Sequence, residues 1–210
     1  MLSEYHQQYL AKSDAEIASR VQAKEIGLRQ LIATLGGAQP TAPEIRVAVL
    51  GCADKRLIER HRRIFSAIYG KPVKLTTMDV TIEHLRDAAD IVQHDATEPL
   101  PGGPYDIVYA DVLVRFVEPA KQFSVLKNSF DALAPGGMAI HIFASEDFDP
   151  PPGYQPLPGT HNVDLNALQL ELTKAGIGYL EVPLRFDLPK PGSDIEKMLI
   201  DEMAVLLKKA

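Results

Sequence analysis

A single cysteine, Cys52, stands among the 210 residues. The chain therefore closes no disulfide of its own, and a cysteine-rich metal site is excluded. It also lacks an excess of basic charge: 22 Lys and Arg stand against 28 Asp and Glu, for a formal net charge of −6. A protein that lives on phosphate backbones draws its affinity from clustered Lys and Arg, so no nucleic-acid partner is expected. No apolar run approaches the length needed to cross a bilayer, so no membrane partner is expected either. Met1 to Leu10 is polar, carries Glu4 and His6, and lacks the basic-then-apolar order of a secretory signal. A reducing cytoplasm is the expected location. The six histidines (His6, His61, His84, His94, His141 and His161) show no ligand spacing, and no metal is expected.

The hydrophobic period divides the chain. Ser13-Asp14-Ala15-Glu16 reads as a capping box. Behind it Ile17, Val21, Leu28, Ile32 and Leu35 recur at helical spacing, and Gly36-Gly37 offers a stop, so a helix is expected over about 14–35 with a shorter one before it. Gln39 to Pro43, with two prolines, is a linker. Residues 1–43 thus read as a helical extension and 44–210 as the main domain.

From Ile45 the period changes. Ile45 to Leu50 is a β-branched apolar run ending at Gly51, as a parallel strand covered on both faces should be. An amphipathic helix follows from Asp54 to Tyr69, and its basic face (Lys55, Arg56, Arg60, Arg62, Arg63) reads as a solvated surface. Further strands are expected at Pro72 to Met78 (ending at Asp79), Asp90 to His94, Tyr105 to Ala110 and Met138 to Phe143. A short helix is expected near Ile82 to Ala89 and a longer one from Phe123 to Leu133, stopped by Pro135-Gly136-Gly137. Strands alternating with helices at this spacing imply a parallel sheet with right-handed crossovers. Later come a proline-rich loop from Asp149 to Gly159, a helix around Leu165 to Leu172 closed by Gly176, and a strand from Ile177 to Phe186. Pro183 confines part of that strand to an edge or a bulge. A second capping box, Ser193 to Glu196, opens a final helix to about Lys208.

In an open parallel sheet, ligands bind beyond the carboxyl ends of the strands, where strand order reverses. Gly51-Cys52-Ala53-Asp54 is a turn of small residues at one such end. Asp79, an acceptor for the hydroxyls of a ribose, ends the second strand, and Asp95-Ala96 follows the third. Asp79 lies 28 positions after Gly51, more than the roughly 20 of a dinucleotide fingerprint. Each aspartate also has a simpler reading as a cap or turn former.

Taken in order, five segments resemble the class I S-adenosylmethionine-dependent methyltransferases. Val47 to Asp54 is similar to the first motif, a strand followed by Gly-x-Gly-x-Gly, with Ala53 and Lys55 where the second and third glycines would stand. Asp79 matches the acidic residue that holds the cofactor ribose, and His94 to Thr97 the segment flanking the adenine. Tyr105 to Asp111 resembles the fourth strand, whose end faces the methyl group. Leu133 to Met138 resembles the Leu-x-Pro-Gly-Gly turn before the fifth. The resemblance implies a three-layer, doubly wound, Rossmann-like and mostly parallel sheet, to which the sequence adds an N-terminal and a C-terminal helix. That helix replaces the antiparallel hairpin with which the family usually finishes.

The cofactor so implied is S-adenosylmethionine, with Gly51, Cys52, Ala53, Lys55, Asp79, Val80, Asp95, Ala96 and Asp111 as the residues that would bind it. Lys55 either pairs with the cofactor carboxylate or points to solvent. Asp111 either faces the transferred methyl or caps the next turn. No catalytic residue is evident; Asp111 and His161 are candidates, and Cys52 reads as small packing. Ala110-Asp111-Val112-Leu113 stands where nucleic-acid amino-methylating enzymes carry an Asn/Asp-Pro-Pro-Tyr signature. A small molecule or a protein side chain is therefore the expected acceptor, and a homodimer is compatible with the sequence. The alternatives are a methyltransferase-like binding or scaffold module without catalysis and a nicotinamide-dependent oxidoreductase.

Overall fold

The computed structural model describes residues 3–34, 40–144, 159–189 and 197–210. Parallel strands β1 (Ile45–Leu50), β2 (Val73–Asp79), β3 (Ile91–Gln93), β4 (Tyr105–Asp111) and β5 (Leu133–Ala144) are joined by β6 (Tyr179–Pro189) and β7 (Lys197–Lys208) in one sheet. Its order is β3-β2-β1-β4-β5-β7-β6, with β7 antiparallel to both neighbours. The chain starts at β1, moves outward to β3, then returns to place β4 on the other side of β1. Strand order therefore reverses between β1 and β4, and the crevice for a ligand lies at their carboxyl ends.

Successive residues of a strand point to opposite faces, and both faces are covered. Val47 and Val49, with Leu75, Tyr109 and Ile140, pack under α1 (Glu4–Leu10), α2 (Asp14–Thr34) and α3 (Ile58–Tyr69). Ala48 and Leu50, with Val108, Ala139 and Phe143, pack under α4 (Pro119–Asp131) and α5 (Leu165–Lys174). This is the expected three-layer α/β arrangement. The first capping box forms: Ser13 N–H donates to the Glu16 carboxylate at 2.8 Å and Glu16 N–H to Ser13 Oγ at 3.3 Å. The Gly36-Gly37 stop lies outside the described residues. Ile17, Leu28 and Leu31 of α2 are fully buried in the core that β1 shares, so α2 is a part of the covering layer.

Two expected helices are absent. Between β2 and β3 there is a single 3-10 turn, Glu83–Leu85, in place of a helix over Ile82 to Ala89. Asp87 and Asp90 adopt left-handed φ angles of 70° and 61° there, which no helix continues through. The expected C-terminal helix is instead β7, and its supposed capping box lies outside the described residues. Met203 to Leu207 is a short apolar run that fits a strand buried on both faces as well as it fits a helix. Ala204 and Leu206 face one layer, Val205 and Leu207 the other. The slot between β5 and β6 overrides the helix propensity of Glu, Met, Ala, Leu and Lys. The chain therefore ends in the antiparallel hairpin that the sequence reading replaced with a helix. Pro183 sits on β6, the edge strand, as expected.

The Pro135-Gly136-Gly137 turn has a packing reason. Gly136 takes φ +76°, and a Cβ on Gly137 would lie 2.9 Å from the carbonyl oxygens of both Ala134 and Tyr105. Neither oxygen can step aside without breaking the β4–β5 junction. Gly137→Ala is expected to destabilise the fold by on the order of 3 kcal/mol, read as a lower urea midpoint. Gly136→Ala meets nothing within 4 Å and should cost only the strain of its φ, about 1 kcal/mol.

Candidate functional site

The turn after β1 is built around Asp79. Gly51, at φ +74°, lets the chain reverse, and its N–H donates to Met78 O at 2.8 Å. The next N–H, from Cys52, donates to Asp79 Oδ2 at 2.9 Å, while Thr81 N–H donates to Asp79 Oδ1 at 3.0 Å. Burial alone would raise this carboxyl. The His6 imidazole beside it and the N–H donors of Cys52 and Thr81 prevail and hold it below the usual carboxylate range. Asp79 is thus an anion fixed in place, with lone pairs left on both oxygens. Cys52 is buried, and that burial pushes its thiol up to about 12, so it packs and does not act as a nucleophile.

Three adjoining cavities follow the strand ends. The first, 210 Å³, is lined by Gly51, Cys52, Ala53, Asp79, Val80 and Asp111, and is covered by Tyr5 and His6 of α1. The second, 250 Å³, shares Gly51, Asp79 and Val80 with it and runs on past Asp95 and Ala96, with Leu113 and Phe116 common to both. Val80 is 57% exposed, an apolar side chain at a polar rim that a flat ring would cover. Asp95 accepts from Thr97 N–H at 2.9 Å, and that bond holds its carboxyl down. It forms the turn and also lines the cavity.

The third cavity, 150 Å³, meets the first at Tyr5 and Asp111 and lies under α2, between Arg20, Lys24, Tyr109 and Glu202. Asp111, at the end of β4, is ion-paired with Lys24. Burial pushes Lys24 down to about 8, with the Glu202 carboxylate opposing it, and burial raises Glu202 in turn. Val112, directly after Asp111, has φ 66°. For a β-branched residue that is strained backbone, and such strain collects at ligand sites. It is held by Val112 N–H donating to Ile142 O at 2.7 Å.

Arg56 fastens the N-terminal helices over this corner. Its guanidinium donates to Asp54 Oδ2 (2.6 Å), Asp14 Oδ1 (2.8 Å), Lys12 O (3.0 Å) and Tyr9 O (3.3 Å). Asp54 is buried and also accepts from Arg56 N–H, capping the 3-10 turn Lys55–Leu57.

The structure thus gathers eight of the nine candidate cofactor residues, Gly51, Cys52, Ala53, Asp79, Val80, Asp95, Ala96 and Asp111, around two cavities with a common wall. Lys55 is exposed and lines none of these three cavities. His161 lines none of them either. Its ring lies 3.5 Å from Glu118, a residue of the second cavity wall, and its N–H donates to Arg115 O. Tyr5, His6, Lys24 and Glu202 were not legible as site residues, because each reaches the site only through the packing of a separate element, whereas Leu113 and Phe116 follow directly on Asp111. His6 and His84, 78 positions apart, also meet beside Asp79, which no local spacing could announce.

No protein-family model matches the sequence, and no curated protein matches it. Solved structures do. A magnesium protoporphyrin IX methyltransferase from Synechocystis PCC 6803 with bound SAH is similar at a TM-score of 0.58 and 10% identity, over 99% of this chain and 94% of that one. A SAM-dependent methyltransferase from Archaeoglobus fulgidus has a TM-score of 0.58 and 13% identity, over 88% and 94% of the two chains. One from Methanosarcina mazei has 0.54 and 11%, over 80% and 93%. The chain has the fold of SAM-dependent methyltransferases.

Proposed function

We infer that the protein is an enzyme that binds S-adenosylmethionine along the first two cavities and transfers its methyl group to an acceptor in the third. The observation that carries this reading is the adjacency of the three cavities, with Asp79 in the walls of the first two and Asp111 in those of the first and third. The residues present fit such a cofactor. Asp79 is a fixed acceptor for two ribose hydroxyls, and Val80, Ala96, Leu113 and Phe116 give apolar walls for an adenine whose edge Asp95 can meet. The small Gly51-Cys52-Ala53 turn leaves room for the methionine part. The similar magnesium protoporphyrin IX methyltransferase, solved with bound SAM and with bound SAH, supports the choice of cofactor.

The cofactor supplies a methyl group already activated on a sulfonium, so the protein's task is to align the acceptor with it and to exclude water. Tyr5 and His6 close the space from above. Asp111, Lys24 and Glu202 offer polar groups that orient a polar acceptor. A cavity of 150 Å³ under α2 favours a small molecule, or the tip of one side chain, over a nucleic-acid base. The acidic balance of the chain points the same way.

Thermal melting with S-adenosylmethionine, S-adenosylhomocysteine and NAD tests the reading. At 100 times Kd a ligand adds about 2.7 kcal/mol to the folded state, a shift of several degrees. Both sulfur compounds should raise the midpoint and NAD should not. A flat response to both at millimolar concentration would remove the proposal, and a response to NAD alone would favour a dehydrogenase.

A further inference from the structure

We propose that His6, Asp79 and His84 form a three-ligand site for a divalent transition-metal ion of the zinc type, tying α1 to the end of β2. All three side chains are buried, and one ligand atom from each lies within 4.8 Å of the others. His6 Nε2 is 3.9 Å from Asp79 Oδ2, and the two imidazole rings are 4.2 Å apart between centroids.

The hydrogen bonds around the cluster define which atoms are free to ligate. His84 Nε2 lies 2.6 Å from Cys52 O, and a carbonyl can only accept. That nitrogen carries the proton, which leaves Nδ1 a bare lone pair, and Nδ1 is buried with no partner. A buried lone pair without a donor is costly unless something binds it. His6 Nδ1 lies 2.7 Å from Ser3 Oγ, a hydroxyl that can accept from Nδ1–H, and that tautomer would offer Nε2, beside the carboxylate, to an ion. Asp79 Oδ1 accepts from Thr81 N–H, while Oδ2, which faces His6, accepts from Cys52 N–H and keeps a second lone pair for an ion. Each imidazole thus has its other ring nitrogen held by a neighbour and the carboxylate is fixed by two backbone N–H groups, the arrangement that fixes tautomer and orientation at metal centres.

Two imidazoles and a carboxylate suit zinc and its first-row neighbours, and disfavour calcium or magnesium, which take oxygen ligands. Bonds of about 2.0–2.2 Å would draw the three side chains together by small rotations. The first cavity, which His6 and Asp79 line, has room for a fourth ligand. Bound there, the ion fastens α1 over the corner from the side opposite Arg56. It also shares Asp79 with the ribose position, so metal binding is measured without cofactor.

The full chain, stripped with a chelator and titrated with Co2+, should take up one ion. It should show the visible d–d absorption of a four- or five-coordinate site, and one equivalent of Zn2+ should abolish it. His6→Ala, on the terminal helix, and His84→Gln should each weaken Co2+ binding by about 100-fold or more. His161→Ala, outside the cluster, should leave it unchanged. The absence of a visible band at millimolar Co2+ would overturn the site, as would a band that survives intact in folded His6→Ala. The methyltransferase reading has its own readout, the melting shift with S-adenosylhomocysteine in chelator. A shift without a Co2+ band removes the metal site alone, and a band without a shift removes only the methyltransferase reading.

Discussion

Acidification from pH 6.5 to pH 4 is expected to cost the fold about 3 kcal/mol at each of two buried histidines. Burial pushes His61 down to about 3 and His141 down to about 4, from an ordinary value of 6.5. The two lie in different layers: His61 on α3 packs edge-on against Tyr109, and His141 alternates with Ala139 and Phe143 toward α4 and α5. Both ring nitrogens of each are buried without a partner, so nothing nearby stabilises an imidazolium. Above pH 6.5 both are neutral whether the chain is folded or not, and they add no pH dependence. Below it the unfolded chain takes up protons that the folded chain refuses. Stability therefore falls as pH falls, and the loss levels off only near the folded values. Against a total stability of about 5–15 kcal/mol, that is enough to bring the protein close to unfolding at pH 4.

The check is urea unfolding of wild type, His61→Leu, His141→Leu and the double variant between pH 7 and pH 4. Each leucine should flatten the acid slope, the double variant most. Neither should be strongly destabilising at pH 7, because an imidazole with no partner contributes no hydrogen bond there. An acid slope unchanged in the double variant would refute the assignment.

The second large effect is expected at Asp79. Asp79→Ala removes two acceptors proposed for the ribose, each worth about 1.5–3 kcal/mol when the acceptor is charged. At 1.4 kcal/mol per tenfold, S-adenosylhomocysteine should bind about 100-fold or more weakly. The same change strips the buried Cys52 N–H and the Thr81 N–H of their acceptor, so a loss of about 2 kcal/mol in stability should accompany it. Asp79→Asn keeps one carbonyl oxygen for one of those donors and should recover part of the stability but little of the affinity. Calorimetric titration of the folded variants decides the matter. Affinity within threefold of wild type in Asp79→Ala would move the ribose elsewhere.

The strands from Ile45 to Phe143 were legible because each is short, rich in β-branched and apolar residues, and set between turn signals, and the first four run out at Gly51, Asp79, Asp95 and Asp111. The same residues mark the strand ends where a ligand binds, so the cofactor corner was legible with them. The C-terminal strand was not. Asp201 to Lys208 is written in good helix formers, and only the vacant place between β5 and β6 makes it a strand. The cover of the site was not legible either. Tyr5 and His6 reach Asp79 because Arg56 grips the carbonyls of Tyr9 and Lys12 from 44 to 47 positions away, and nothing in a local window records that grip. Lys55, next to Arg56 in sequence, is the reverse case. Its motif position suggested the ligand, but the Asp54 cap turns the chain so that Arg56 faces inward and Lys55 stays exposed.

The two ends of the sheet bear on how copies of the protein can meet. An open sheet can recruit another chain along an unpaired edge strand. Here one edge, β3, is three residues long, too short to hold a partner. The other, β6, carries Pro183 at mid-strand with Glu181 and Arg185 on either side, which interrupts any ladder laid against it. Among the described residues, both edges of the sheet thus carry features that disfavour growth from molecule to molecule. A dimer, were one to form, is expected to use the helical faces in preference to these edges.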